Sequence, residues 1–254
     1  MIEEERSVKK VNYNDISRIY DDVREEERAI VNSFLNEVEI TDTTKILDVG
    51  CGTGNYTNIL EKITNAKIYG IDASEGMLEK VKEKNKNIIT KVGLATDIPF
   101  EDCAFNFVYM TDVIHHVTDI NKMFLEFNRI LVNGGKVCIS TQSYRQIDLR
   151  YMSEFFPSTA AVDKTRYQDI EEIIKLAREN GFRLIKNQII DEGKEVELGS
   201  DYLELLEKRG YSMLHLITDE DYKDGLNRVK NEIKEGSIKR KSAGGTLVWL
   251  VKNK

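Results

Sequence analysis

From residue 44 to 141, short apolar runs alternate with stretches whose apolar positions recur every three or four residues. Lys45-Ile46-Leu47-Asp48-Val49 is the first run and ends in glycines; residues 66–71, 87–92, 105–110 and 136–140 are the next four. Between the last two, Ile120, Met123, Phe124, Phe127, Ile130 and Leu131 fall at helical spacing. Near-continuous apolar strands separated by helices need cover on both faces. The pattern therefore predicts a parallel sheet in a doubly wound α/β unit. After Thr141 the rhythm changes. Residues 145–163 read as a long connection carrying Leu149, Tyr151, Met152, Phe155 and Phe156. A helix with Ile170, Ile173, Ile174 and Ala177 on one face then ends at Gly181, the residue type that closes helices in a left-handed conformation. Residues 182–190 and 245–251 read as strands. Thr218 and Asp221 cap a helix between them, with a stripe of Tyr222, Leu226, Val229 and Ile233. The first forty residues are helical by pattern, with Ile16, Tyr20, Val23 and Ile30 on one buried face.

Composition narrows the class. Hydrophobic residues are 41% of the 254 and charged residues 32%, which allows a core and excludes a disordered or collagen-like chain. The apolar run 247–251 is too short to span a bilayer, so no membrane span is expected. The chain opens Met-Ile-Glu-Glu-Glu-Arg with no apolar stretch behind it, and a cytoplasmic location is the expectation. A net charge of −7 leaves no basic excess, so no nucleic-acid partner is expected. Lys239-Arg240-Lys241 reads as a solvated segment before a strand. Cys51, Cys103 and Cys138 are odd in number and widely spaced, fitting neither a disulfide framework nor a zinc site. No metal site is expected, and nothing in the pattern sets an oligomeric state.

The chemistry concentrates where the first strand opens into a helix, at Asp48-Val49-Gly50-Cys51-Gly52-Thr53-Gly54. Glycines suit a turn where a ligand lies against the main chain and backbone amides face it. The spacing is G-x-G-x-G, and position 55 is Asn, unlike the G-x-G-x-x-G of dinucleotide binders. Asp48 at the same strand end would repel a pyrophosphate and attract a ligand carrying an ammonium and a sulfonium. Asp72 ends the second strand 18 residues beyond Gly54, placed to accept both hydroxyls of a ribose.

These motifs, with Asp72-Ala73-Ser74, Met77-Leu78, Ile98-Pro99-Phe100, Val113-Ile114-His115-His116-Val117, Arg129-Ile130-Leu131 and Gly134-Gly135, resemble class I S-adenosylmethionine-dependent methyltransferases. The resemblance is to the type 11 branch, which includes quinone-biosynthesis C-methyltransferases, and covers roughly residues 44–141. It implies a Rossmann-like seven-stranded sheet, mostly parallel with an antiparallel last strand, plus helical cap elements. It also implies one methyltransferase domain over residues 1–254. Residues 1–40 would be an N-terminal helical cap, 41–141 the cofactor-binding core, and 142–254 the substrate-side connection, helices and last strands. S-adenosylmethionine would be the cofactor and S-adenosylhomocysteine its product. Gly50, Gly52 and Gly54 would let it approach, Asp48 would orient its amino group, and Asp72 would hold the ribose with Ala73 beside it. Met77 would pack on adenine. Leu94 and Ala95 would line the adenine edge, Leu94 standing where many members carry an acid. Thr111 would lie under the methionine end. Tyr20 and Arg24 match a segment that closes over the cofactor in related enzymes.

Methyl transfer from a sulfonium needs alignment above all, and a base only where the acceptor has a proton to lose. His115 and His116 are the base candidates, titrating near neutral pH. As neighbours in an extended segment they would point to opposite sides. Tyr13, Tyr151, Phe155 and Phe156 are the substrate-side candidates. The expected function is methylation of a small organic molecule at an O, N or C acceptor. The alternatives are a protein or RNA methyltransferase and a cofactor-binding regulator without turnover. A nicotinamide oxidoreductase is opposed by Asn55 and Asp48, and arsenic methylation by the placement of Cys51 and Cys138.

Overall fold

The computed structural model describes residues 28–254. The chain runs α1 (Arg28–Glu37), β1 (Lys45–Val49), α2 (Asn55–Ile63), β2 (Lys67–Asp72), α3 (Glu75–Lys84), β3 (Ile89–Val92), β4 (Phe105–Thr111), α4 (Ile120–Ile130) and β5 (Leu131–Thr141). Three short helices follow: α5 (Tyr144–Leu149), α6 (Tyr151–Phe155) and α7 (Ser158–Lys164). Then come α8 (Ile170–Glu179), β6 (Phe182–Ile190), β7 (Glu195–Leu198), α9 (Ser200–Glu207), α10 (Asp219–Lys234), β8 (Ile238–Lys241) and β9 (Gly245–Lys252).

Seven strands form one sheet in the order β3-β2-β1-β4-β5-β9-β6. The first five are parallel, and β9 runs antiparallel to both neighbours. Period-two alternation splits the core between the faces. Phe107, Tyr109, Leu247 and Trp249 face α1 and α2, where Phe34 lies edge-on to Trp249 at 5.9 Å. Val108, Met110, Val248 and Leu250 face the other way, toward Phe124 and Phe127 of α4 and Ile173 and Ile174 of α8. Phe105 breaks the alternation at the register shift between Phe105 and Phe107. The predicted caps are present: Thr218 Oγ1 accepts from Asp221 N at 3.1 Å, and Gly181 follows α8 with φ +88°.

The second half departs from the pattern reading in three places. Residues 145–163 hold most of α5, all of α6 and most of α7 rather than an open connection, because each helix is too short to show a periodic stripe. Lys239 and Lys241 are exposed as expected, but with Arg240 they belong to a strand of their own, β8, which pairs antiparallel with β7 as a separate ribbon. Arg240 is neutralised there by Glu154 and Glu232. β5 starts at Leu131, five residues before the expected position. Of the expected N-terminal face only Ile30 lies within the described residues, and it is buried on α1.

The elements after β5 build a second apolar cluster above the carboxyl end of the sheet, with Phe155, Phe156, Leu206, Leu214 and Val229 at its centre. Gly225 on α10 makes this packing close: a Cβ there would meet Phe156 Cδ1 at 2.2 Å and the Phe155 carbonyl at 2.8 Å. Alanine normally favours a helix over glycine by about 1 kcal/mol. Here the clash reverses the sign, and Gly225→Ala is expected to destabilise by about 1–3 kcal/mol. A thermal midpoint equal to or above that of the parent would contradict this packing. Among the described residues no helix is long and apolar enough to cross a membrane.

Candidate cofactor and methyl-acceptor site

β1, β2 and β4 are hydrogen-bonded parallel neighbours, so their carboxyl ends share one edge. On that edge the chain leaves β1 through Gly50, Gly52 and Gly54, at φ +76°, +54° and +81°. These left-handed values strain any residue with a Cβ. Gly50 has a further constraint, since a Cβ would lie 2.5 Å from Val113 Cγ2. The turn is tied to β2: Gly50 N and Cys51 N donate to the Ile71 carbonyl at 2.8 and 2.9 Å, and Gly52 N donates to Asp72 Oδ2 at 2.9 Å.

Asp72 therefore shapes the turn as well as ending the strand. Its Oδ1 accepts from Ser74 N at 2.8 Å. Burial raises its pKa, and the amides of Ser74, Gly52 and Ala73 pull it back down. Ser74 caps α3 by accepting from Met77 N at 3.3 Å, which fixes Met77 in a buried position. Gly93 N donates to the Asp72 carbonyl at 3.1 Å, bringing the next turn alongside. There Leu94 and Asp97 pair through their backbones; Leu94 is 54% exposed and Ala95 is buried.

Asp48 is almost wholly buried under α2. One oxygen, Oδ2, accepts from both Thr57 Oγ1 and Tyr109 OH, each at 2.8 Å. The other, Oδ1, is buried with no hydrogen-bond partner. Burial pushes its pKa up to about 7 against the pull of those two hydroxyls, and Asp72 adds a smaller push. Thr57 and Tyr109 did not stand out in the sequence. The signal was a threonine on the apolar side of a helix and a tyrosine in the buried run 107–111 of a strand, each needing a partner for its hydroxyl.

At the end of β4, Thr111 is buried and Asp112 takes φ +54°, a left-handed value uncommon outside glycine and typical of functional turns. The following residues are not extended. Ile114–His116 form a 3-10 turn, closed by His116 N donating to the Val113 carbonyl at 2.8 Å. The histidine rings consequently lie 4.0 Å apart rather than on opposite sides. His115 is buried and stacks on Tyr167 at 4.3 Å, whereas His116 is exposed. Phe155 and Phe156 are packed inside the cap cluster, and Tyr151 is half-buried against Tyr202. Tyr13, Tyr20 and Arg24 lie outside the described residues. Among the described residues no group of three or more His, Cys, Asp or Glu side chains could hold a metal ion.

A mostly parallel seven-stranded sheet with one antiparallel strand, carrying a glycine turn after β1 and an acid after β2, defines a Rossmann-like methyltransferase fold. Residues 47–139 match the methyltransferase domain family, type 11. A demethylmenaquinone methyltransferase of Staphylococcus aureus (strain JH9) is 30% identical over 179 residues, 63% of this chain and 74% of that protein. Among solved structures, a protein of Anabaena variabilis assigned to methyl transfer in antibiotic biosynthesis aligns with a TM-score of 0.69 at 21% identity. The match covers 87% of this chain and 96% of that one. Phosphoethanolamine N-methyltransferase 2 of Haemonchus contortus, solved with S-adenosyl-L-methionine, aligns at 0.62 and 20% identity, covering 96% of this chain and 61% of that one. The chain belongs to the class I S-adenosylmethionine-dependent methyltransferases, in the type 11 branch. It is an enzyme of methyl transfer, and S-adenosylmethionine is its cofactor.

Proposed function

We propose that the enzyme methylates a small organic molecule in the cytoplasm, with the cofactor held on the carboxyl edge of β1, β2 and β4. The observation that carries the site assignment is Asp48 Oδ1, a buried carboxylate oxygen with no partner beside a turn of three left-handed glycines. An unsatisfied buried anion is costly, and a ligand ammonium is the group that would satisfy it. Gly50, Gly52 and Gly54 leave room for close approach, and Asp72 would hold the ribose with Ala73 next to it. Met77 and Ala95 would bound the adenine, with Leu94 covering its edge. Thr111 would lie under the methionine end. Tyr20 and Arg24 would close over the cofactor from the segment outside the described residues.

Bound S-adenosylmethionine supplies a methyl group already activated on a sulfonium. The chain's own residues then align the acceptor, and alignment alone is worth about 7–11 kcal/mol. His115, held flat against Tyr167, and His116 beside it would receive a proton from acceptors that have one to lose, a gain of about 10²–10⁴ in rate. Tyr13 and Tyr151 would contact the acceptor, with Phe155 and Phe156 supporting that wall from the cap. The charge of −7 supports a small-molecule acceptor over nucleic acid.

The test is transfer of labelled methyl from S-adenosylmethionine into cell extract separated by size. Label in the low-mass fraction is the expected result. Label confined to protein or RNA would replace the small-molecule reading with the macromolecular one. Cofactor binding with no transfer into any fraction would favour a regulator.

A further inference from the structure

Above the sheet edge, the cap buries more positive than negative charge. Arg150, between α5 and α6, bonds Oδ2 of Asp163, and Arg166, just after α7, bonds Oδ1 of the same carboxylate. Asp163 is fully buried, and the arginine side chains are only 9% and 16% exposed. Two guanidiniums on one carboxylate leave one positive charge. The neighbouring Glu154 belongs to a more exposed group, in which Arg240 bonds it at 2.9 and 2.8 Å and also bonds Glu232 at 2.9 Å.

The same cluster holds unspent donors. Arg166 Nε is buried without a hydrogen-bond partner, and so is the hydroxyl of Tyr202, a residue only 7% exposed on α9. Arg150 Nε is already used on Ser153 Oγ at 3.2 Å, and Arg166 Nη2 approaches Ser212 Oγ at 3.4 Å. Tyr202 stands between the rings of Tyr151 and Tyr211, with centroids at 5.6 and 6.4 Å. Burial raises the pKa of its hydroxyl, Tyr211 and Tyr151 add smaller pushes, and Arg150 pulls it back down. A buried excess charge with vacant N–H and O–H donors is unfavourable for the protein alone and suits an oxyanion. The cluster also reaches the reacting edge: Tyr167 directly follows Arg166 and carries the ring on which His115 stacks.

We propose that the methyl acceptor carries an oxyanion, carboxylate or phosphate, that docks on Arg150, Arg166 and the Tyr202 hydroxyl. This rests on the small-molecule methyltransferase reading and names the acceptor class within it. The anionic end is held in the cap, and the remainder of the acceptor extends past Tyr167 toward His115. An arginine pair used only as a staple between α6 and α7 would bind no anion and would be indifferent to the Tyr202 hydroxyl.

The experiment measures the thermal midpoint of the full chain titrated with sodium phosphate or sodium benzoate, against sodium chloride at equal ionic strength. It is run with and without S-adenosylhomocysteine. Stabilisation beyond chloride by at least one anion is expected, phosphate marking a phosphorylated acceptor and benzoate a carboxylated one. Tyr202→Phe removes only the vacant hydroxyl and should raise the required anion concentration about tenfold, as for a lost charged hydrogen bond. Arg166→Gln should do the same or more, while S-adenosylhomocysteine affinity stays unchanged in both. No stabilisation beyond chloride, or a Tyr202→Phe response equal to the parent's, overturns the proposal. Loss of S-adenosylhomocysteine binding by the parent chain would count against the cofactor site instead, and the anion titration without it still decides the acceptor class.

Discussion

Asp72→Ala is expected to weaken S-adenosylhomocysteine binding by more than about tenfold, read by calorimetric titration. A charged hydrogen bond contributes about 1.5–3 kcal/mol, and tenfold corresponds to about 1.4 kcal/mol, so one lost ribose bond suffices. The structure adds a second route to the same loss. Asp72 holds Gly52 N and Ser74 N, so alanine leaves two amides without their partner and loosens the turn that presents the glycines. Asp72→Asn separates the two contributions. It keeps an oxygen for one amide but loses the charge and the second acceptor, and should fall between the parent and the alanine variant. Unchanged affinity in the alanine variant would remove Asp72 from the cofactor site.

What could be read from the chain alone divides at Thr141. Before it, β1, β2 and β4 are apolar runs, and the turn's glycines and strand-end acids stand out together as one motif. Asp48 and Asp72 are therefore legible without any coordinates. Their partners are less so, because Thr57 and Tyr109 meet Asp48 from residues 9 and 61 positions away. Beyond Thr141 the longer elements α8, β6, α10 and β9 were read from their pattern, but α6 has five residues, and β7 and β8 four each. Over such lengths neither the helical nor the strand period repeats often enough to register. The histidines illustrate the limit from the other side. Their residue types were conspicuous, but the 3-10 turn that stacks His115 on Tyr167 depends on a ring 52 positions along the chain. The pair Arg150 and Arg166 was silent for the same reason, since only the fold brings both guanidiniums onto the one carboxylate of Asp163.

Asp48→Asn is expected to make the enzyme more stable and a poorer binder at once. Burial raises the Asp48 pKa from its ordinary 3.8 to about 7. Between those values the folded chain keeps a proton that the unfolded chain has released, so stability falls as pH rises across the window and is flat above it. At about 1.4 kcal/mol per pH unit, the parent loses roughly 2–3 kcal/mol through this group between about pH 5 and pH 8. Asparagine does not titrate. Because one oxygen of Asp48 takes both the Thr57 and Tyr109 hydroxyls, the single amide oxygen can keep both bonds. The stabilising effect of the substitution should therefore be about 5–10 °C larger in thermal midpoint at pH 8 than at pH 5, using about 2–4 °C per kcal/mol for a chain of this size. Cofactor binding should move oppositely. In the parent, affinity for S-adenosylhomocysteine should rise with pH toward 7 as Asp48 ionises to meet the ligand ammonium. In the variant this dependence should vanish and affinity should fall about tenfold or more. The coupling is what the proposed site predicts: the charge proposed to meet the cofactor's ammonium is one that the fold holds at a loss. A variant with the parent's affinity, or with a stability difference that does not change with pH, would show that Asp48 is a structural acid and that the ammonium is held elsewhere.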